Sequence, residues 1–176
     1  MQKITIRKIL NKKNKIPIIC LSTYSKTVAK IADKYCDIIL VGDSLGMVLY
    51  GMKSTREVTL DDMIRHGKAV KKIVNKSLVV IDMPYRTYTN KFIAYKNAKK
   101  IIKLTKCDAV KLEGGKEVKK IIEHLVKKGI KVMGHIGLLP QSAKQYKIKG
   151  KNFFQKKKIL QDAREVSKSG VFAVVI

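Results

Sequence analysis

Short apolar runs alternate with longer lysine-rich amphipathic stretches, and this alternation is what most restricts the fold of the chain. The six apolar runs occupy residues 16–22, 38–43, 78–84, 109–113, 131–137 and 172–176. Nearly continuous apolar runs are typical of parallel strands covered on both faces, because half-exposed antiparallel strands alternate apolar and polar residues. Helical patterns lie between them, at 28–34, 60–74, 91–104, 117–127 and 156–169. The β-α order predicts one α/β domain over residues 1–176, built as a parallel sheet or barrel.

Local signals mark several of the predicted helix ends. Thr59 precedes an apolar-periodic stretch, and Asp62 follows three residues later, which predicts a capping box. Gly129 and Gly170 stand where a helix must stop before the next strand. These signals support the same alternation of helices and strands.

The charge balance is strongly basic. Lys and Arg number 39 against 13 Asp and Glu, giving a formal net charge of +26, but only five of the basic residues are arginine. The lysines are spread along the chain instead of being grouped, which favours a solvated surface over a dedicated polyanion site. We therefore expect no specific nucleic-acid partner, only weak, salt-sensitive binding that follows from the charge. The 45% of hydrophobic residues is enough for a packed core.

The cysteines and the apolar segments bear on the compartment. The three cysteines, Cys20, Cys36 and Cys107, are far apart and form no CxxC pair, which favours a reducing cytoplasm over a disulfide framework. The N-terminus has the features of a poor signal peptide. No apolar stretch approaches the roughly 20 residues of a membrane span. We expect a cytoplasmic protein with no membrane partner.

Polar residues gather at the ends of four successive apolar runs. Asp43 and Ser44 end the second run, Asp82 ends the third, the fourth contains Lys111 and Glu113, and the fifth contains His135. In parallel α/β folds the carboxyl ends of the strands meet at one rim, where active sites are built. The sequence therefore predicts that these side chains come together.

The three carboxylates among them suggest a metal. Asp43, Asp82 and Glu113 would repel one another at close range, and a divalent ion of the Mg²⁺ type with water and substrate oxygens would relieve this. Lys111 would then bind a substrate carboxylate or a developing oxyanion. The alternative is structural: the two aspartates cap the following helices, and Lys111 pairs with Glu113.

Other candidates favour structural roles. Asp62 and His66 are four residues apart on a predicted helix and could bind a metal, but a cap and a surface residue explain them better. His124 lies in a lysine-rich helix and is expected on a solvated face. Cys36 and Cys107 are expected to be small core residues.

At these residues the sequence resembles the ketopantoate hydroxymethyltransferase (3-methyl-2-oxobutanoate hydroxymethyltransferase) family. The motifs in order are VGDSLGMVLYGMKSTREVTLDDMIRH, IDMPYRTY, AVKLEGG, VMGHIGLLPQS and YKIKGK, and the resemblance extends from about residue 18 to 176. It implies a (β/α)8 TIM barrel that forms a homo-oligomer, typically a decamer. It also implies a Mg²⁺-dependent transfer of a hydroxymethyl group from 5,10-methylenetetrahydrofolate to 3-methyl-2-oxobutanoate, a step of pantothenate synthesis.

The resemblance also implies roles for single residues. The metal residues correspond to Asp43, Asp82 and Glu113, and the contacts to the 2-oxo acid to Asp43, Ser44, Asp82 and Lys111. His135 matches a histidine near the site. In this scheme Mg²⁺ chelates the keto acid and stabilises its enolate, which attacks the one-carbon unit.

The chain departs from the family pattern in two places. Ser25 stands where the family usually has an acidic residue. The family's general base, a glutamate just past the sixth strand, would come directly after Ile176, so about six of eight βα units are expected. If the protein ends there, we expect little turnover, because nothing would remove the C3 proton. An inactive truncated remnant and another Mg²⁺-dependent enzyme of 2-oxo acid carbon–carbon chemistry remain the alternatives.

Overall fold

A single parallel sheet of six strands organises the chain. The structure is a computed structural model that describes residues 2–143 and 145–176. The strands run in sequence order across the sheet, each beside its neighbour along the chain. They are β1 (Cys20–Ser22), β2 (Ile38–Val41), β3 (Leu78–Asp82), β4 (Ala109–Glu113), β5 (Val132–His135) and β6 (Ala173–Val175). All six predicted strands are confirmed, and all but β4 are shorter than their apolar runs.

Seven helices lie in the described part of the chain. They are α1 (Ile6–Lys12), α2 (Lys26–Tyr35), α3 (Leu45–Tyr50), α4 (Leu60–Lys71), α5 (Lys91–Thr105), α6 (Lys119–Lys127) and α7 (Phe153–Lys168), with 3₁₀ turns at Thr55–Glu57 and Lys116–Val118. Five of them confirm the predicted helices to within a few residues. The short helices α1 and α3 were not predicted, because one or two turns carry too little periodicity to be recognised.

The predicted helix boundaries are confirmed in detail. Thr59 Oγ1 accepts a hydrogen bond from the Asp62 amide at 3.2 Å, and the Asp62 carboxylate accepts one from the Thr59 amide at 3.0 Å. Gly129 and Gly170 have φ of 81° and 90°, a left-handed conformation that ends a helix without the steric penalty a side chain would bring. Asp62 is therefore a cap, as expected.

The four central strands β2 to β5 are covered on both faces by two apolar layers, whereas β1 is exposed and β6 is half-buried. One layer lies between the strands and the helices and includes Cys36 and Cys107, which confirms both cysteines as core residues. The other lies on the opposite face, where Ile38, Val80 and Met133 pack with Ile9 of α1. Because these strands are covered on both faces, their sequences are continuous apolar runs and do not alternate with polar residues.

The strand order and the helical crossovers form an α/β half-barrel, which confirms the predicted incomplete barrel. Among the described residues β1 pairs only with β2, and β6 only with β5, so the sheet is open between its first and last strands. The carboxyl ends of β2 to β5 lie side by side at one rim. None of the helices in residues 2–143 and 145–176 is long and apolar enough to cross a membrane.

Candidate active site at the carboxyl ends of the strands

The register of three neighbouring strands brings the predicted site residues together. Asp82 on β3 is the direct partner of Lys111 on β4, and Glu113 is the direct partner of His135 on β5. Lys111 Nζ lies 2.8 Å from Asp82 Oδ1, and His135 Nδ1 lies 3.2 Å from Glu113 Oε1. Sheet pairing therefore brings an ion pair and a histidine–carboxylate contact together at the rim.

Asp43 joins this group from the end of β2. Its amide donates a hydrogen bond to Asp82 Oδ2 at 3.1 Å, and both side chains are buried. A Cβ at Gly42 would lie 3.1 Å from Ser44 Oγ, so a side chain there would crowd Ser44 at the edge of the site. The two aspartates thus meet in the interior, at the carboxyl rim.

The structural alternative for the aspartates and Lys111 is wrong. Helix α3 begins after Ser44 with no side-chain cap, and α5 is capped by Asn90, so neither Asp43 nor Asp82 caps a helix. Lys111 pairs with Asp82 instead of Glu113, because the cross-strand neighbour lies closer than the residue two positions along the strand.

Burial and like charge set the electrostatics of the cluster. Burial, followed by the neighbouring Asp82 carboxylate, raises the pKa of Asp43 to about 7. Burial acts to lower the pKa of Lys111, but the carboxylates of Asp82, Glu113 and Asp43 outweigh it and hold that pKa above its ordinary value. One ammonium group faces three carboxylates, so the site favours an additional cation.

Gln141 connects the acidic residues and was not predicted from the sequence. Its amide Nε2 donates to Asp43 Oδ2 at 2.7 Å and to the Met83 carbonyl oxygen at 3.0 Å. Its backbone amide donates to Glu113 Oε2 at 3.0 Å. Gln141 is buried, although it lies in the segment between β5 and α7. The one sequence signal that could have indicated a role for Gln141 in the site is its position in the GLLPQS motif.

Tyr88 completes the contacts around Gln141 and was also not predicted. Its hydroxyl donates to Gln141 Oε1 and, at 3.3 Å, to the Glu113 carbonyl oxygen. Burial, followed by the Glu113 charge, raises the pKa of Tyr88 above its ordinary range. The phenol therefore stays protonated and acts as a hydrogen-bond donor.

Ser44 lies at the edge of the site and contacts Tyr24. The two hydroxyl oxygens are 2.8 Å apart. The Tyr24 carbonyl oxygen lies 2.6 Å from Nδ1 of His66, whose Nε2 lies 2.5 Å from the Tyr50 hydroxyl. The expectation that His66 is a surface residue is wrong, because it is half-buried and joins α4 to the segments after β1 and β2. Ser25 caps α2 by accepting from the Val28 amide at 3.4 Å.

His124 also differs from its prediction. It is half-buried, with its ring 6.0 Å from those of Phe92 and Tyr95, and so does not lie on a fully solvated face. The contact could not be predicted from the lysine-rich sequence of α6, because it depends on the packing of α6 against α5.

The structure brings Asp43 and Asp82 into direct contact. Glu113 is connected to Asp43 through Gln141, which donates a hydrogen bond to each of them. Glu113 Oε2 accepts a hydrogen bond from the Gln141 amide, and Glu113 Oε1 lies 3.2 Å from His135 Nδ1. Within residues 2–143 and 145–176, no three His, Cys, Asp or Glu side chains are grouped to hold a metal ion. The set of three carboxylate ligands stays a prediction.

A parallel half-barrel with these crossovers places the protein in the class of α/β TIM-barrel proteins. It is similar to phosphonopyruvate hydrolase, solved in a complex with oxalate and Mg²⁺, with a TM-score of 0.75 and 11% identity over 99% of this chain and 62% of that one. It is also similar to 2,3-dimethylmalate lyase, a PEP mutase/isocitrate lyase superfamily member, with a TM-score of 0.66 and 14% identity over 99% of this chain and 61% of that one.

The sequence comparisons define the family within this class. The ketopantoate hydroxymethyltransferase profile matches residues 3–176. The 3-methyl-2-oxobutanoate hydroxymethyltransferase of Pelagibacter ubique (strain HTCC1062) is 56% identical over 97% of this chain and 67% of its own length. That of Anaplasma marginale (strain Florida) is 50% identical over 98% of this chain and 64% of its own. The chain belongs to the ketopantoate hydroxymethyltransferase family.

The match covers only part of the relatives. The chain spans 60% of the length of the Rhizobium etli relative, to which it is 52% identical, and 64% to 67% of the two above.

Proposed function

We propose that this protein transfers a hydroxymethyl group from 5,10-methylenetetrahydrofolate to 3-methyl-2-oxobutanoate, giving 2-dehydropantoate for pantothenate biosynthesis. The names of its relatives support the reaction. The observation that carries the proposal is the buried contact of Asp43, Asp82 and Lys111, which combines two acidic oxygen donors with a fixed cation.

We include Mg²⁺ as the cofactor, because the residues present suit it. Carboxylate oxygens are ligands that Mg²⁺ prefers. Burial and the neighbouring Asp82 carboxylate raise the pKa of Asp43, and a divalent ion would stabilise its charged form. Asp43 and Asp82 would hold the ion, with Glu113 as the third acidic residue. When bound, the ion supplies Lewis acidity that makes the C3 proton of the keto acid easier to remove.

The remaining residues bind and orient the substrate. Lys111 is buried and positively charged, so it suits the carboxylate of the 2-oxo acid as well as Asp82. Ser44, held by Tyr24, offers a hydroxyl at the edge of the same site. Gln141 and His135 fix Asp43 and Glu113. The general base is, as the resemblance implies, a glutamate that would follow Ile176.

The setting of the reaction is also a proposal. The three free cysteines suit a reducing cytoplasm. The homo-oligomer is inferred from the resemblance. The acceptor and the folate donor are the small-molecule partners, and neither a membrane nor a specific nucleic acid takes part.

A titration of the purified chain with 3-methyl-2-oxobutanoate tests the proposal. Heat of binding is measured with Mg²⁺ and again with a chelator, and 3-methylbutanoate, which lacks the keto oxygen, is the matched control ligand. We expect binding only of the keto acid and only with Mg²⁺. Binding that is unchanged by chelation, or equal for both acids, would contradict the proposal. Tighter binding of a dicarboxylic 2-oxo acid such as oxaloacetate would favour the alternative 2-oxo acid enzyme.

A further inference from the structure

We infer that Arg56, Tyr85 and Arg86 form a subsite for the negatively charged glutamate tail of the folate donor. This inference rests on the proposed function and specifies where that reaction holds its second substrate. The three residues lie beside the acidic site, on the segments that follow β2 and β3.

The arrangement of the two arginines is specific. The guanidinium carbon of Arg56 lies 5.1 Å from the centre of the Tyr85 ring, and that of Arg86 lies 5.2 Å from it. The chain has 39 Lys and Arg residues but only five arginines, and two of the five meet on this one tyrosine. A guanidinium can bind a carboxylate through two parallel hydrogen bonds, which an ammonium group cannot do.

Local structure holds Arg56 in place. It lies in the 3₁₀ turn Thr55–Glu57, where Ser54 and Glu57 form a reciprocal capping box. Its Nε donates to the Gln141 carbonyl oxygen at 2.7 Å. This hydrogen bond orients the terminal nitrogens of Arg56. Because Gln141 also bonds to Asp43, it connects the subsite to the acidic cluster.

The turn after β3 places Arg86 in an uncommon conformation. Its φ is 64°, in the left-handed region that non-glycine residues seldom occupy. The turn is fixed by a hydrogen bond of 3.1 Å from the Thr87 amide to the Pro84 carbonyl oxygen, and by one of 2.7 Å from Asn97 Nδ2 to the Thr87 carbonyl oxygen. The surrounding hydrogen bonds therefore maintain a strained residue next to the site.

Neither arginine is neutralised by an acidic side chain within the part of the chain that the structure describes. All ion pairs found there have lysine or histidine as the basic partner. Arg56 and Arg86 are both exposed. Two solvent-accessible guanidinium groups beside one aromatic ring, one of them held by its hydrogen bond to Gln141, are suited to a ligand with several carboxylates.

A cavity lined in part by Tyr85 could hold the part of the folate that carries no carboxylates. It has a volume of about 430 Å³ and is lined by residues that include Tyr85, Arg86, Leu139, Gln141 and Glu113. This volume lies in the range of small-molecule sites. A folate consists of a fused ring, an aromatic linker and a glutamate tail. Tyr85 and Arg86 line this cavity, so a fused ring bound in it would bring the linker and the glutamate tail near Tyr85 and the two arginines.

Binding of 5-formyltetrahydrofolate carrying three glutamates tests the inference. We expect the dissociation constant of the Arg56→Gln/Arg86→Gln double variant to rise at least tenfold. Arg7→Gln removes one positive charge from α1, where Arg7 is exposed; it is the control for each single arginine substitution and should change the dissociation constant less than twofold. A change below twofold in the double variant, or an equal loss in Arg7→Gln, would overturn the inference, as would a wild-type chain that does not bind this folate.

Two further measurements keep the result interpretable. Arg86→Gln alone breaks no side-chain hydrogen bond that the structure records, so a loss of at least threefold there cannot come from disturbing Gln141. The Mg²⁺-dependent binding of 3-methyl-2-oxobutanoate should be unchanged in Arg86→Gln. Failure of the wild-type chain to bind that acid contradicts the proposed function, whereas normal acid binding with arginine-independent folate binding contradicts only this inference.

Discussion

Lys111 and Asp82 form a buried ion pair that the sheet itself positions, since the two residues are direct partners on neighbouring strands and their charged atoms lie 2.8 Å apart. Each side chain is at most 5% exposed. Removing one member of such a pair leaves an uncompensated charge in the interior. The stability of the chain therefore depends on this contact, and under the proposed function the binding of the 2-oxo acid depends on it too.

We predict that Lys111→Met lowers the free energy of unfolding by about 3–5 kcal/mol, the usual effect of breaking a buried ion pair from one side. Without the ammonium group, the carboxylates of Asp43 and Asp82 repel each other with no nearby cation. Urea denaturation followed by circular dichroism measures the change. The double variant Lys111→Met/Asp82→Leu should recover most of the loss, because it leaves no unpaired lysine or aspartate at this contact. A loss below about 1 kcal/mol in the single variant would contradict a structural role of this size.

Gln141→Leu tests the contact between the late segment and the acidic cluster. The substitution removes the donor to Asp43 and Met83 and the acceptor for Tyr88, while the backbone bond to Glu113 is retained. We expect a loss of about 1–3 kcal/mol in unfolding free energy, typical of buried polar groups left unsatisfied. Gln161→Leu, at an exposed position on α7, is the matched control and should change stability by less than about 0.5 kcal/mol. Equal effects of the two substitutions would show that the Gln141 contacts contribute nothing.

The raised pKa of Asp43 predicts a pH dependence with a definite sign. Its unfolded value is near 3.8 and its folded value about 7, so the folded state binds this proton more tightly. The stabilisation from Asp43 is therefore complete below pH 3.8 and is lost as the pH rises to about 7. The wild type should lose up to ~1.4 kcal/mol per pH unit relative to Asp43→Asn over this interval, and the difference should then level off.

This comparison is made by denaturation in the presence of a chelator, so that no divalent ion occupies the site. Asp61→Asn, at an exposed position on α4, serves as the control and should run parallel to the wild type across the same pH range. A wild-type curve parallel to that of Asp43→Asn would mean that Asp43 titrates normally in the folded chain.

The sequence was sufficient to predict the barrel architecture and the meeting of five site residues. Continuous apolar runs and helical periodicity can be recognised in the sequence alone. Parallel strands place their carboxyl ends at one rim, whichever residues they contain. Asp43, Asp82, Lys111, Glu113 and His135 could therefore be placed together. Which side chains form pairs depends on the register of the strands. The alternative Lys111–Glu113 pair was wrong because Asp82, the cross-strand neighbour of Lys111, lies closer to it than Glu113 does.

The residues that the sequence did not reveal reach the site through loops and long-range packing. Gln141 contacts Asp43 across 98 positions in the chain, and Arg56 contacts Gln141 across 85. No local pattern encodes such a contact. His66 was misjudged for the same reason, because a polar residue on an amphipathic helix looks solvated until its partners on other segments are known.

The sharpest test of metal binding by Asp43 and Asp82 is the affinity of Mn²⁺, a spectroscopic substitute for Mg²⁺, measured by electron paramagnetic resonance on the wild type, Asp43→Asn and the control Asp61→Asn. If Asp43 and Asp82 hold one ion that engages the keto acid, the wild type and the control bind one Mn²⁺ whose spectrum changes on adding 3-methyl-2-oxobutanoate. Asp43→Asn should then bind the ion about tenfold more weakly or worse. Equal Mn²⁺ affinity in all three proteins would show that Asp43 does not hold the ion, and a spectrum that is unchanged by the keto acid would show that the bound ion does not engage it.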